Sequence, residues 1–271
     1  MIDAAEKLRD DEHYYGEFGR KYLSNSDIGA LLTNPKDFKK RTPDNAAFAK
    51  GRYFHQLILE PAKAEAWEFV DVSSRNTKAY KEFCAANEMS FAMLEKEGDE
   101  IRSLVGVMLG NMAMFDDIRH SECEYEVPAV KKIAGEMWKG KADIVHPDMV
   151  IDIKTTGDIG AFRWSAKKYN YDSQAFIYQE MFDKPLVFYV IDKSTGMLGV
   201  FEPTPEFIEG GEAKVRQAVK QYRKFFGDNP TSDIDTYFIH EFLLNLYHGI
   251  RQKSQYQNQG RSNRQVSIVS R

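Results

Sequence analysis

Three charged side chains stand inside sequence that is otherwise apolar and β-branched. Asp143 lies within Gly140-Lys141-Ala142-Asp143-Ile144-Val145, and Asp152 and Lys154 lie within Val150-Ile151-Asp152-Ile153-Lys154-Thr155-Thr156. Both stretches read as short strands joined by the turn His146-Pro147-Asp148-Met149, whose centre suits Pro147-Asp148. A charge in a buried strand costs roughly several kcal/mol unless it is paired or holds a metal. Three such charges kept together point to a use.

Alternation along a strand puts Asp152 and Lys154 on one face. A hairpin centred on 147–148 pairs 146 with 149, 145 with 150 and 143 with 152. The Asp143 and Asp152 carboxylates then face each other across the strands, with Cβ atoms about 5 Å apart. Facing carboxylates repel unless a cation lies between them. All-oxygen ligation with open water positions suits Mg²⁺ or Mn²⁺. Lys154, two residues on, reaches a phosphate oxygen or the attacking water. This is the equipment for metal-assisted phosphodiester hydrolysis. The competing reading is a surface hairpin whose Asp and Lys form a simple salt bridge.

The elements that must position these residues can be read around them. The pattern predicts strands at 121–130, 137–146 and 150–155, a crossover segment at 157–168, and a helix at 170–182. A strand at 186–192, the turn Lys193-Ser194-Thr195-Gly196, a strand at 197–203 and a helix at 205–227 follow. Upstream, a short helix starts at Ser24 or Ser26, Pro43 marks a break, and residues 46–60 are helical. Two or three helices span 77–118, with Met108, Met112 and Met114 as core or subunit contact. The βββαβ order with a leading helical lobe indicates an α/β or α+β core with a mixed sheet.

Further candidates sit on these elements. Gln174 and Tyr178, four apart, project from one helix face, where an amide and a phenol can hold a phosphate, the attacking water or a nearby carboxylate. Amphipathic packing with a Gln at the rim is the plainer account. His55 shares a helix with Phe54, Leu57, Ile58 and Leu59 and reads first as a core histidine. Glu122, Glu124 and Glu126 alternate on the first core strand and should face one side, which is equally the pattern of a solvated strand face.

The Asp, Asp-x-Lys arrangement resembles the PD-(D/E)xK nuclease superfamily, with Asp152 where Glu is more usual and no Pro before Asp143. Three further stretches are similar to the RecE-like (exodeoxyribonuclease VIII type) phage exonucleases of its RecB-like branch. Tyr171-Asp172-Ser173-Gln174-Ala175-Phe176-Ile177-Tyr178 resembles the Gln-x-x-x-Tyr helix. Gly51-Arg52-Tyr53-Phe54-His55, running on to Leu59-Glu60-Pro61, resembles the Gly-x-x-x-His segment. Leu23-Ser24-Asn25-Ser26-Asp27-Ile28 with Asn34-Pro35-Lys36-Asp37-Phe38 resembles the opening of that domain. The likeness runs from about 22 to about 228. It implies a restriction-endonuclease-like core with a central mixed sheet flanked by helices: an extension at 1–21, a domain at 22–230 (helical lobe 22–118, catalytic core 119–230), a docking helix at 231–250 and a disordered basic tail at 251–271.

The resemblance also implies roles. Asp143, Asp152, the Ile153 carbonyl and His55 would hold Mg²⁺, with Mn²⁺ as substitute, and of the acidic residues on the first core strand Glu124 would join them. Lys154 would orient or deprotonate water, and Gln174 and Tyr178 would position phosphate or water. The activity implied is a metal-dependent exodeoxyribonuclease on linear double-stranded DNA, running 5′→3′. It would leave 3′ overhangs for a single-strand annealing protein of the RecT or Redβ type and work as a homo-oligomeric ring. A restriction-like endonuclease and a non-catalytic DNA-binding or inhibitor protein are the rivals.

Composition bounds the rest. Against 37 Lys and Arg stand 41 Asp and Glu, a net charge of −4, so any DNA-binding surface must be local. One candidate is Arg163, Lys167 and Lys168 interleaved with Trp164, Tyr169 and Tyr171, where aromatics among cations suit a frayed end. Arg52 joins it. Arg75, Lys78 and Lys81, and Lys36, Lys39, Lys40 and Arg41, read equally as solvated helix faces. No apolar run approaches the ~18 residues of a membrane span, and residues 1–11 do not resemble a signal peptide. The expected setting is the cytoplasm of a bacterial host, with phage or prophage origin. Two cysteines, Cys84 and Cys123, are too few for a four-cysteine iron–sulfur cluster and are expected as free thiols. Residues 251–271 hold five basic and no acidic residues. Tyr237–Ile250 is apolar enough to dock in an oligomer.

Overall fold

The computed structural model describes residues 3–40 and 45–237. Of these, the residues up to 231 form one compact unit, and 232–237 belong to a second. Within the second unit, a 3₁₀ turn at Ile234–Thr236 is stabilised by the Asp233 side chain, which accepts from the Asp235 N–H. Most of the expected docking helix, and all of the basic tail, lie outside the described residues.

The first unit opens with three short helices, α1 (Ala4–Lys7), α2 (Asp11–Tyr15) and α3 (Glu17–Arg20). Next come α4 (Asn25–Thr33), α5 (Ala46–Leu59), α6 (Pro61–Glu65), β1 (Phe69–Val70), α7 (Lys78–Ala86), β2 (Met93–Leu94), α8 (Glu95–Gly110) and α9 (Met112–Ile118). The core follows as β3 (Glu124–Ile133), β4 (Glu136–Val145), β5 (Val150–Thr156), α10 (Phe162–Lys168), α11 (Tyr171–Phe182), β6 (Leu186–Asp192), β7 (Leu198–Phe201) and α12 (Pro205–Phe225). The five core strands form one mixed sheet in the order β3-β4-β5-β6-β7, with only β5 and β6 parallel. The expected core is therefore present, with α10 where a plain crossover was expected and the two-residue strands β1 and β2 unanticipated.

Two apolar layers cover the sheet. On β6, Val187, Tyr189 and Ile191 pack with α5, α8 and α9, while Leu186, Phe188 and Val190 pack with α4, α11 and α12. All seven β6 residues are buried, as a strand covered on both faces requires. Of the methionine stripe, Met108 and Met114 are core and Met112 is exposed.

The sheet is irregular at one place. Ala142 and Ile144 are two apart on β4, yet Ala142 packs in the α11 layer and Ile144 in the α5 layer. Across from them, Tyr125 pairs with Ile144 and Val127 with Ala142, and the intervening Glu126 takes a left-handed φ of 50°. The alternation thus changes phase at the Glu126/Asp143 position. β4 and β5 pair only at Ile144–Ile151 and Val145–Val150, and then part. In the gap, Leu23 lies beside Trp138: its N–H donates to the Met137 carbonyl (3.0 Å) and its carbonyl accepts from the Lys139 N–H (2.8 Å).

Candidate active site

The parting of β4 and β5 creates the site. The observed hairpin has the expected register, with the His146 N–H bonded to the Met149 carbonyl at 2.9 Å. Beyond the last ladder pair, the Asp143 carboxylate takes the place of a backbone acceptor, and the Ile153 N–H donates to its Oδ2 at 2.8 Å. Asp152 and Lys154 share a face, as alternation demands, and their side chains touch. The parted strands let groups from both layers meet: His55 from α5 and Gln174 from α11.

His55 Nε2 lies 3.2 Å from Asp143 Oδ2, and its Nδ1 bonds the Gly51 carbonyl at 2.8 Å. Gln174 Nε2 donates to Asp152 Oδ1 at 2.6 Å. Of the three partners open to Gln174, the structure gives it a carboxylate. Tyr178 differs from expectation. Its hydroxyl donates to the Lys141 carbonyl at 2.8 Å and accepts from the Lys141 N–H at 3.3 Å. It clamps α11 to β4 through backbone, so both its hydrogen-bonding capacities are engaged. Gly140 makes room, since a Cβ there would sit 2.9 Å from the Tyr178 ring and from Met181 Sδ.

The charges set one another. Burial pushes the Asp152 carboxyl up to about 6, against Lys154 and with the help of Asp143. Burial works the same way on Asp143, but His55 and Lys154 outweigh it and hold this carboxyl below the usual range. Burial disfavours the charged forms of His55 and Lys154, yet Asp143 lifts His55 to about 9 and Asp152 holds Lys154 at about 12. The site therefore contains two neighbouring carboxyls with separated affinities for protons.

Glu124 is corrected. Its side chain is 66% exposed and lies 3.9 Å from Arg9. Glu126 is the β3 carboxyl that lines the site, where burial and Asp143 raise it to about 7. The rule that alternate residues face one side fails because the left-handed φ of Glu126 turns the strand between them. Between about 4.5 and 7 the native state holds a Glu126 proton that the unfolded chain has released. Without metal, stability should fall as pH rises through that window. Glu126→Gln should flatten the fall in urea titrations at pH 5 and 7.5 with chelator. An unchanged slope would show that Glu126 does not titrate there.

The site opens into a cavity of about 650 Å³, whose lining includes Arg52, His55, Glu126, Lys139, Lys141, Asp143 and Gln174. Lys139 and Lys141 were missed, although buried lysines on an apolar strand are the signal that marked Lys154. Burial and nearby Lys39 lower Lys139 to about 8. Asp11 was missed too. It bridges Lys141 (2.7 Å) and Lys63 (2.8 Å) from a helix distant in sequence, which no local pattern reveals.

The expected DNA contacts divide. Arg52 lines the cavity. Tyr171 stands beside Lys154, whose Nζ is 5.1 Å from its ring centre. Arg163, Trp164, Lys167 and Lys168 lie on α10, where Phe162 and Ala166 are buried and Trp164 is exposed with Arg163 over its ring. Other basic clusters are spent locally: Lys39 on Asp27, Lys40 on Asp37, Arg75 on Glu97 and Lys78 on Glu82. Arg41 lies outside the described residues. Cys84 and Cys123 are free thiols, and no helix among the described residues is long and apolar enough to cross a membrane.

The donors fit a hard divalent cation. Among the described residues no three acidic, imidazole or thiol side chains already converge on one point. The chemistry is nonetheless present: carboxylates of Asp143, Asp152 and Glu126, the imidazole of His55, and the backbone at Ile153. Asp152 Oδ2 carries the clearest mark. It is fully buried and touches the Lys154 ammonium without accepting a directed hydrogen bond.

No curated protein matches this chain. Among solved structures, a protein of Eubacterium rectale described as a "putative exonuclease" is similar with a TM-score of 0.57 at 15% identity, over 79% of this chain and 85% of that one. SSO0001 is 16% identical over 60% of this chain and 84% of that one, with a TM-score of 0.28. The family model described as "PDDEXK-like domain of unknown function (DUF3799)" matches residues 21–229. That span carries the parted hairpin, Asp143, Asp152, Lys154, His55 and Gln174, and the chain belongs to this PDDEXK-like family.

Proposed function

We propose that this protein is a divalent-metal-dependent exodeoxyribonuclease acting on linear duplex DNA. The observation that carries the reading is the Asp143–Asp152–Lys154 set, with Asp152 buried, supported by Gln174 and His55 and reaching through Asp143 a cavity whose lining includes Arg52, Lys139 and Lys141. Nucleases of the PD-(D/E)xK fold generally use divalent metals. Asp143, Asp152, His55 and the Ile153 carbonyl would hold the cation, Mg²⁺ with Mn²⁺ as substitute, and Glu126 takes the place assigned to Glu124. When bound, the cation supplies Lewis acidity and lowers the pKa of water towards neutrality. Lys154, kept charged by Asp152, is placed to hold a phosphate oxygen and offset the negative charge that grows during attack. Gln174 keeps Asp152 oriented, and Tyr178 keeps α11 seated on β4.

The finer reading follows the resemblance. Digestion runs 5′→3′, the 3′ overhang passes to a RecT- or Redβ-type annealing protein, and a homo-oligomeric ring gives processivity despite the acidic chain. Arg163, Trp164, Lys167 and Lys168 then carry the strand beyond the cavity. The test is digestion of end-labelled linear duplex and covalently closed circles with Mg²⁺, Mn²⁺ or EDTA. Metal-dependent shortening of linear DNA alone supports the exonuclease, and the label gives polarity. Cutting of circles selects the endonuclease. Binding without cleavage selects the non-catalytic protein.

Metal binding carries its own signature. His55 holds its proton to about 9, and a metal takes the neutral ring, so binding at pH 7.5 should release a proton and tighten as pH rises towards 9. Titration calorimetry in buffers of differing ionisation enthalpy reads this. His55→Ala should cut the release to the small share that Glu126 supplies and weaken Mn²⁺ binding by about tenfold or more. Equal proton release in the variant would remove His55 from the site.

A further inference from the structure

The first turn of α11 buries three polar side chains in a row, Asp172, Ser173 and Gln174. Apolar residues would seat a helix at lower cost, since every buried polar group must find a partner. The partners divide by side. Tyr171 and Gln174, three apart, face the site: the Tyr171 ring stands beside the Lys154 ammonium, and the Gln174 amide donates to Asp152. Asp172 and Ser173 turn instead to the helices packed beside α11. Ser173 Oγ donates to Asn25 Oδ1 of α4 at 2.6 Å. Asp172 Oδ1 accepts from Lys214 Nζ of α12 at 2.8 Å, with the Asp172 side chain only 2% exposed.

An ammonium has three N–H donors, and Lys214 uses all three at this corner. Besides Asp172 they reach the Lys167 carbonyl at the end of α10 (2.7 Å) and Asn170 Oδ1 (2.9 Å). Asn170 is the N-cap of α11, held at a left-handed φ of 60°, and its carbonyl accepts from the Gln174 N–H at 3.1 Å. One cation thus fixes the end of α10, the link and the first turn of α11. A buried ion pair often adds no net stability over apolar residues of the same volume, but it can specify one arrangement. The site depends on such an arrangement. A side-chain end sits about 5–6 Å from the helix axis, so a roll of ~10° displaces it by about 1 Å. That is enough to break the 2.6 Å bond from Gln174 to Asp152. We propose that Lys214 is a positioning residue for DNA cleavage: through Asp172 and Asn170 it fixes the rotation of α11, and so keeps Gln174 on Asp152 and Tyr171 beside Lys154. The proposal rests on the nuclease reading and deepens it.

The test uses the full chain. Lys214→Met alone strands the Asp172 charge and mixes folding with function. The variant to compare is therefore Lys214→Met with Asp172→Asn, which removes both charges and keeps the side-chain volumes. It should melt close to wild type and bind linear duplex in EDTA within about twofold, yet cleave at saturation with Mg²⁺ about tenfold more slowly or worse. Lys214→Arg, which keeps a cation on Asp172, should retain most of the rate. Added to Gln174→Ala, the paired substitution should cost nothing further, because both act on one contact. Without metal, amide hydrogen exchange over residues 170–174 should quicken by about tenfold while β6 stays protected. A purely structural role would leave the rate per folded molecule unchanged. That result, or a loss that multiplies with that of Gln174→Ala, would overturn the proposal and leave the nuclease standing. A wild type that cuts no DNA would overturn both.

Discussion

Replacing Asp152 with alanine should reduce metal-dependent DNA cleavage by about a thousandfold or more while leaving DNA binding within a few-fold. The carboxylate is 1% exposed and holds two neighbours at once, the Gln174 amide at 2.6 Å and the Lys154 ammonium. Its loss removes a cation ligand and leaves a buried ammonium with Asp143 as its remaining counter-charge. Lys154→Ala should be similarly inactive for a different reason: without the ammonium, burial and Asp143 push the Asp152 proton affinity higher still, and a protonated carboxyl is a poor metal ligand. Lys154→Arg should not restore activity, because a planar fork cannot occupy the space of a compact ammonium. Asp152→Asn keeps a partner for Gln174 and removes a buried charge, so it should be inactive yet at least as stable as wild type. Single-turnover cleavage beside thermal melts reads both quantities. Retained cleavage in Asp152→Ala would end the assignment.

Gly211→Ala should cost about 3 kcal/mol of stability. A Cβ at Gly211 would lie 2.0 Å from the Asp172 carbonyl oxygen and 2.8 Å from the Ser173 nitrogen. These are backbone atoms, so no rotamer change relieves the clash and α12 must move away from α11. For a unit of this size the melting temperature should drop by roughly 6–12 °C. Activity should fall in the folded fraction as well, because α11 carries Gln174 and Tyr178. Gly140→Ala makes a useful contrast: its clashes are with a ring edge and a flexible Met181 tip, so it should cost less stability. Equal melting of Gly211→Ala and wild type would mean that the helices are not packed backbone to backbone.

The centre of the site was legible because it violates the pattern around it. Asp143, Asp152 and Lys154 interrupt apolar strands, and the short turn at Pro147-Asp148 fixes the register that opposes them. Gln174 was legible through its helical spacing, His55 through the resemblance rather than through its helix. Glu126 was not, because its selection depends on a left-handed backbone that neither residue type nor alternation announces. Asp11, Tyr14 and Tyr15 were invisible for another reason. They reach the cavity from a polar stretch with no periodicity, over more than a hundred residues of intervening chain. The helix α10 was read as a connection because its seven residues bury only Phe162 and Ala166, too few for a periodic signal.

The backbone pairing of Leu23 with Trp138 has a practical side. Where β5 turns away, Leu23 is, among the described residues, the backbone partner of the Met137 carbonyl and the Lys139 N–H on that side of β4. A fragment starting after residue 23 would present those groups as a raw strand edge beside the Trp138 ring. Such an edge recruits the same segment of another molecule. Solubility, as well as the loss of Asp11 and Tyr14 from the cavity, will therefore limit how far this protein can be shortened from its first residue.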